Sequence, residues 1–356
     1  MNTFFVGSVI NPIKRDVVGA LPVLSEISLR YPARLNAMAL DPSQIDVSKR
    51  GIYTPGEVIF SVDIFKEVLI TLREDNLIVI SETSPRHQII THAVLLMRQA
   101  LKVKHGFNID VKTLDLRHCG LGSSSGLIAS VASAINELYG TPIKKAALIP
   151  YLAQNHGEEI DDDSHRLQHV QCIGGSAASG LVIGGMKMIA GESVVIASMD
   201  IDSSYSVLIG IPNDFSAPDA QHLMELEISN MSKFVATGNE YRYKIGYRVI
   251  HEMIPAMIKN DLHSVSSLIF DYRFDYGSIR NCSFVYPRLV DIAKNIRYLY
   301  EDGLVDTLAL SSVGPAFFAI THHPEKCRSV FEKNDLKVYE AKIVNHGYQI
   351  VNTKVI

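Results

Sequence analysis

Gly120-Leu121-Gly122-Ser123-Ser124-Ser125-Gly126 stands between a polar segment, residues 114–119, and an apolar run opening Leu127-Ile128-Ala129-Ser130-Val131. Leu127, Ile128, Val131, Ile135 and Leu138 share one face of a predicted helix, and Gly140 followed by Pro142 ends it. Small residues let backbone N–H groups approach an anion, and a helix N-terminus adds a favourable field. The Ser123, Ser124 and Ser125 hydroxyls add donors. Serine and glycine also favour N-caps, so the stretch alone reads equally as an anion cradle or a capped helix start.

Walker A needs a lysine after its last glycine, and Leu127 follows Gly126. The dinucleotide fingerprint GxGxxG needs its third glycine one residue earlier, inside a βαβ unit. The nucleophile elbow GxSxG does match Gly122-Ser123-Ser124-Ser125-Gly126, with Ser124 as the nucleophile. That elbow follows an apolar strand, whereas Asp115, Arg117 and His118 precede this one. A serine hydrolase built on Ser124 is therefore the minor reading.

Elsewhere, residues 24–41 alternate as a strand does, and strands are predicted over 58–62, 67–72, 77–80 and 107–111. Residues 86–104 and 144–157 read as helices. An acidic run, 158–163, and a second small-residue loop, 172–180, follow. Residues 182–211 are strand-rich and 219–302 mainly helical. Strands at 307–310 and 317–320 flank a loop, Ser311-Ser312-Val313-Gly314-Pro315. Strands and helices mix without regular βαβ alternation, which predicts an α+β fold. A chain of 356 residues suits two domains, placed at 1–200 and 201–356.

A formal net charge of -4 argues against a nucleic-acid binder. Cys119, Cys172, Cys282 and Cys327 lie far apart, which excludes a disulfide framework or a zinc finger and suits a reducing, cytoplasmic setting. The N-terminus lacks the marks of a signal peptide, and no apolar run reaches the ~18 residues of a membrane span.

Three separated motifs share one chemistry: Gly120 to Gly126, Gly174-Gly175-Ser176-Ala177-Ala178-Ser179-Gly180, and Ser311-Ser312-Val313-Gly314-Pro315-Ala316-Phe317. Their order resembles the GHMP kinase superfamily, which includes galactokinase, homoserine kinase and mevalonate kinase. The resemblance runs from Pro32 to about Ile320. It implies a two-domain α+β fold, the N-terminal part ribosomal protein S5 domain 2-like and the C-terminal part a ferredoxin-like α/β unit. Two departures matter. The third loop reads Ser-Ser-Val-Gly-Pro where the kinases usually have Ser-Gly-x-Gly-Pro. Ala177 and Ala178 stand where many of these kinases carry a catalytic aspartate, and alanine cannot take a proton. Homoserine kinase also works without that aspartate.

Arg34-Leu35-Asn36-Ala37-Met38-Ala39-Leu40-Asp41 and the Ser-Ser-Val-Gly-Pro loop look like segments of β-ribofuranosylaminobenzene 5'-phosphate synthases and related C-nucleoside synthases. That resemblance implies phosphoribosyl pyrophosphate (PRPP) and a small aromatic acid as partners, Mg²⁺ as cofactor, and a homodimer. The reaction implied joins an aromatic or heteroaromatic carboxylate to ribose, with release of pyrophosphate and CO2. An ATP-dependent small-molecule kinase is the alternative, and a non-catalytic metabolite-binding protein a further one.

Roles follow by position. His118, Gly120, Gly122, Ser123, Ser124, Ser125 and Gly126 would hold phosphate groups, Gly174 and Gly175 a second wall, and Ser312 and Gly314 the rest of the pocket. Arg34, Glu158 and Ser176 are the expected catalytic residues. Arg34 suits a phosphate or carboxylate through its planar fork, or a structural ion pair with Asp41. Glu158 and Asp161 are the expected Mg²⁺ ligands, with the remaining acids a solvated loop. His156, His165, His169 and Arg166 are subsidiary candidates; Cys119 and Cys172 read as packing residues, and Lys144 and Lys145 as solvated.

Overall fold

The structure, a computed structural model, describes residues 3–13, 19–45, 55–114, 116, 118–160, 163–218 and 220–356. Asp115, Arg117 and Asp161 lie outside them. The described strands are β1 (Thr3–Phe5), β2 (Leu24–Ala39), β3 (Glu57–Arg73), β4 (Ile78–Ile80), β5 (Gly106–Thr113), β6 (Gly157–Ile160), β7 (Asp163–His169), β8 (Met186–Ala190), β9 (Val194–Met199), β10 (Ser206–Pro212), β11 (Thr307–Leu310), β12 (Phe317–Thr321), β13 (Leu336–Ala341) and β14 (Gln349–Val355). The helices that bear on the site are α1 (His87–Leu101), α2 (Ser123–Leu138), α3 (Lys145–Gln154), α4 (Gly175–Leu181) and α5 (Ala220–Arg248).

The first sheet runs β14-β2-β3-β5-β4, and β8 and β9 extend it from the front half of β3. The segments 58–62 and 67–72, expected as two strands, form one. A register shift opposite Pro32 and Ala33 absorbs the residues between them, so the chain bends without leaving the sheet. α1 and α2 cover one face. Ile89, Ile90, Ala93, Val94 and Met97 of α1 are fully buried there. Burying a large side chain of that kind contributes about 1.5–3 kcal/mol, so this face fixes the helix on the sheet.

The second sheet is antiparallel in the order β11-β12-β10-β13. With helices between β10 and β11 and the helix Pro324–Lys333 between β12 and β13, this is the expected ferredoxin-like βαββαβ arrangement. The two sheets share a core, where Phe60 meets Phe318 edge-on at 5.9 Å between ring centroids. The division at residue 200 needs one correction. β14 returns to the first sheet and pairs antiparallel with β2, from Gln349 opposite Arg30 to Val355 opposite Leu24.

Two further expectations change. The helix over 144–157 ends at Gln154, and Gly157 opens the β6–β7 hairpin in place of a solvated acidic loop. The second small-residue loop is largely helix α4, every residue of which is buried. Among the described residues, no helix is long and apolar enough to cross a membrane.

Candidate active site

α2 begins at Ser123, so the serines expected in a loop form the helix's first turn. Gly122 is the N-cap, with φ of +67°, and no side chain caps the helix. The serine-cap reading therefore fails. The first intrahelical bond runs from the Gly126 N–H to the Gly122 carbonyl. The N–H groups ahead of it have no intrahelical acceptor and point out of the helix end, where an anion is favoured.

The middle serine is already engaged. Ser124 Oγ donates to Glu158 Oε2 at 2.7 Å and accepts from Arg86 Nη1. Arg86 also reaches Glu158 through Nη2 and Glu159 through Nε, each at 2.7 Å. His156 Nε2 lies 3.4 Å from the other Glu158 oxygen. Burial alone would push the Glu158 carboxyl up, but Arg86, His156 and Ser124 together hold it well below the usual carboxylate range. Held that acidic, Glu158 is too weak a base to take the Ser124 proton, and the Arg86 guanidinium occupies the hydroxyl's lone pair. The nucleophile-elbow reading of Ser124 is set aside on this ground.

The three motifs converge. Ser311 Oγ donates to the Gly120 carbonyl at 2.7 Å, and a Cβ on Gly120 would sit 2.2 Å from the Ser311 carbonyl oxygen. Ser125 Oγ donates to Ser176 Oγ at 2.8 Å, and a Cβ on Gly122 would sit 2.2 Å from that same oxygen. Only glycine permits both approaches. Arg34 crosses the junction and donates from Nη1 to the Gly120 carbonyl at 2.9 Å. Its Nε is buried without an acceptor. The buried Arg273 ties the third loop to β2, donating to the backbone carbonyls of Asn36, Ala37 and Ser312 at 2.6–3.0 Å.

These elements surround a cavity of about 230 Å³. Of the expected residues, Arg34, His118, Gly120, Gly122, Ser123, Ser124, Ser125, Glu158, Gly175, Ser176, Ser312 and Gly314 line it. Gly126 and Gly174 do not: Gly126 backs onto Lys66 and Gly174 onto Ile149 and Ser193. His165 and Arg166 sit exposed on β7, and His169 packs against Phe4. Arg34 does not pair with Asp41, whose carboxylate instead accepts from the Ser43 N–H at 3.0 Å. Cys172 also faces the cavity, and burial followed by the Glu57 charge pushes its thiol up to about 12, so it is no thiolate.

Four lining or supporting residues escaped sequence reasoning: Arg86, Glu57, Glu227 and Arg273. Glu57 accepts from the Gly175 N–H at 2.7 Å and from the Asn36 amide, which fixes the start of α4. Glu227, on α5, faces the cavity and makes no hydrogen bond or ion pair among the described residues. Behind the α2 turn lies a second cavity of about 40 Å³, lined by Lys66, Arg86, Thr113, Ser123 and apolar side chains. Burial, then the Arg34 charge, brings the Lys66 ammonium down to about 8.

No group of three or more His, Cys, Asp or Glu able to hold a metal occurs among the described residues. Glu158, an expected ligand, is committed to Arg86, and Asp161 lies outside the described residues.

Residues 88–182 match the family model for the GHMP kinases N terminal domain. Three solved structures extend the likeness across the chain. A homoserine kinase from Cytophaga hutchinsonii superposes with a TM-score of 0.60 at 15% identity, covering 92% of this chain and 98% of its own. The fold is that of the GHMP kinases. Mevalonate diphosphate decarboxylase from Staphylococcus aureus gives 0.63 at 12% identity, with 92% and 98% covered. Lactococcus lactis galactokinase, complexed with galactose, gives 0.62 at 11%, with 91% and 95% covered. No curated protein matches the chain in sequence. The GHMP kinase fold thus accounts for the meeting of the three glycine motifs around one cavity.

Proposed function

We propose that the chain transfers a phosphoribosyl group from PRPP to a ring carbon of an aromatic or heteroaromatic carboxylate. The products are a β C-riboside 5'-phosphate, pyrophosphate and CO2. The bond from the anomeric carbon to the diphosphate breaks as the ring carbon attacks from the opposite face. The leaving diphosphate keeps the electron pair. Loss of the ring carboxylate as CO2 then returns a pair to the ring and restores aromaticity.

One observation carries this reading over a kinase. The α2 N-terminus offers an anion cradle, yet the space behind it is about 40 Å³. A cavity that small is a poor match for a fused two-ring base. A donor that carries phosphates without a nucleobase suits the cavity better than ATP does. The N–H groups of Ser123 to Ser125 and the free Arg34 Nε would bind the diphosphate as it gains charge. Ser176, joined to Ser125, would set that serine's orientation. Mg²⁺, which commonly keeps few protein ligands beside substrate phosphates, would enter with the diphosphate. Glu158 supports the turn through Ser124.

A thermal-shift comparison tests the donor. PRPP with Mg²⁺ is expected to raise the melting temperature, because a ligand of the native state stabilises it by mass action. ATP with Mg²⁺ is expected to leave it unchanged. The reverse pattern would favour the ATP-dependent kinase.

A further inference from the structure

We infer that Glu227 is the catalytic base of this cavity, taking the proton that an N–H or O–H of the acceptor ring releases when its carbon attacks. The inference rests on the C-ribosyl transfer reading and narrows its acceptors to aromatic acids with an N–H or O–H conjugated to the attacked carbon.

The geometry selects Glu227 by what the other carboxylates are doing. Glu57 is held by Gly175 and Asn36. Glu158 is held by Arg86, Ser124 and His156, and Glu159 by Arg86. Glu227 lines the same cavity, is half-buried, and has no hydrogen bond or ion pair among the described residues. Leu223, one turn earlier, lines the cavity too, so this face of α5 presents an apolar surface with one carboxyl on it. α5 packs over β6 and the turn Pro42–Gln44, and Asn281 anchors it through a 2.8 Å bond to Thr237.

Charge around Glu227 agrees with that role. Glu158 on β6 is the anion facing it, and the buried Cys282 thiol follows the helix Ser278–Asn281. On the turn Pro42–Gln44 the nearby acid is Asp41, which caps that turn, and across the cavity stand Arg34, His118 and His156. Burial, then the Glu158 charge, pushes the Glu227 carboxyl up to about 7. Two carboxyls in one site are thus held far apart in acidity, one fixed as an anion and one able to exchange a proton near neutrality.

The proton balance closes. Attack forms the C–C bond, expels diphosphate and leaves the ring cationic, which makes its N–H or O–H strongly acidic. Ionised Glu227 takes that proton. Departure of CO2 leaves its electron pair on the ring, and the ring heteroatom recovers the proton from Glu227.

Two measurements test this. In the wild-type protein with PRPP and 4-aminobenzoate, kcat/KM should rise with pH through about 7 to a plateau. Glu227→Gln should lose roughly 10²–10⁴-fold in kcat and the acidic limb, with PRPP affinity unchanged by calorimetry. 4-(Dimethylamino)benzoate, which has no N–H, should react slowly and equally with both proteins. A Glu227→Gln protein with full kcat and the same limb overturns the inference. The second measurement follows the carboxyl ¹³C signal of Glu227 in the ligand-free protein, assigned by its absence from Glu227→Gln. A midpoint near neutrality supports the inference, and one near the ordinary 4.5 overturns it. Because the titration is read in the ligand-free protein, it tells a wrong assignment of Glu227 apart from a wrong donor, which the absence of pyrophosphate release from PRPP would show.

Discussion

Arg86 and Glu158 meet at 2.7 Å beneath the first turn of α2, with 7% and 17% of their side chains exposed. Their pairing, extended to Glu159 and Ser124, makes the floor of the cavity a fixed ionic network. Removing one partner of a buried pair leaves the other charge uncompensated. Arg86→Met is therefore expected to cost about 3–5 kcal/mol, read as a lower denaturant midpoint. The acid side adds a check. Glu158 is depressed in the fold, so its contribution is full above the ordinary carboxyl value of 4.5 and is lost as pH falls below it. Arg86→Met should flatten that part of the stability curve. A midpoint equal to wild type would contradict the network.

Gly122→Ala should damage the cradle specifically. Its φ of +67° is strained for alanine, and the new Cβ would meet Ser176 Oγ at 2.2 Å and Arg34 Nε at 3.2 Å. The expectation is a folded protein with PRPP affinity reduced at least tenfold by calorimetry. Wild-type affinity would show that the turn does not bind the ligand.

His92 gives a pH signature away from the site. The Gly7 N–H donates to its Nδ1 at 2.9 Å, so Nε2 carries the proton and donates to the Asn155 carbonyl at 2.8 Å. Burial, the main cause, brings the imidazole down from 6.5 to about 4. A neutral form favoured in the fold stabilises above the unfolded value and is lost on acidification. Stability should thus fall by about 3 kcal/mol between pH 6.5 and 4. A His92→Gln protein with the same slope in chemical denaturation would refute this.

Arg273 should behave as the clamp between the third glycine loop and β2. Its guanidinium serves the carbonyls of Asn36, Ala37 and Ser312 and the Ser278 hydroxyl. Arg273→Met leaves several buried acceptors unpaired, at about 1–3 kcal/mol each. A melting temperature lowered by several degrees and weaker PRPP binding are expected together. Loss of stability with unchanged binding would confine the clamp to the fold.

Much of this was legible in sequence because it is local. The α2 turn shows itself by glycine and serine ahead of an apolar stripe, and α1 by its period. What was missed depends on partners far along the chain. The acidic run read as solvated because five acids cannot share one ion, yet Arg86, 72 residues before Glu158, takes two of them. α4 read as a loop because a helix buried on all sides shows no polar face. The return of β14 to β2 joins residues more than 300 positions apart, which no local pattern records. Glu227 lay in a helical tract rich in other acids, and only its place on the cavity wall separates it from them.

The most direct test of the central claim is a product balance. The purified protein is incubated with PRPP, Mg²⁺ and carboxyl-labelled 4-aminobenzoate or a pyrazole carboxylate, and pyrophosphate, labelled CO2 and ribosylated ring are counted. The account predicts the three in equal amounts, with no requirement for ATP. Formation of ADP from ATP with a phosphorylated small molecule, and no pyrophosphate from PRPP, would contradict it.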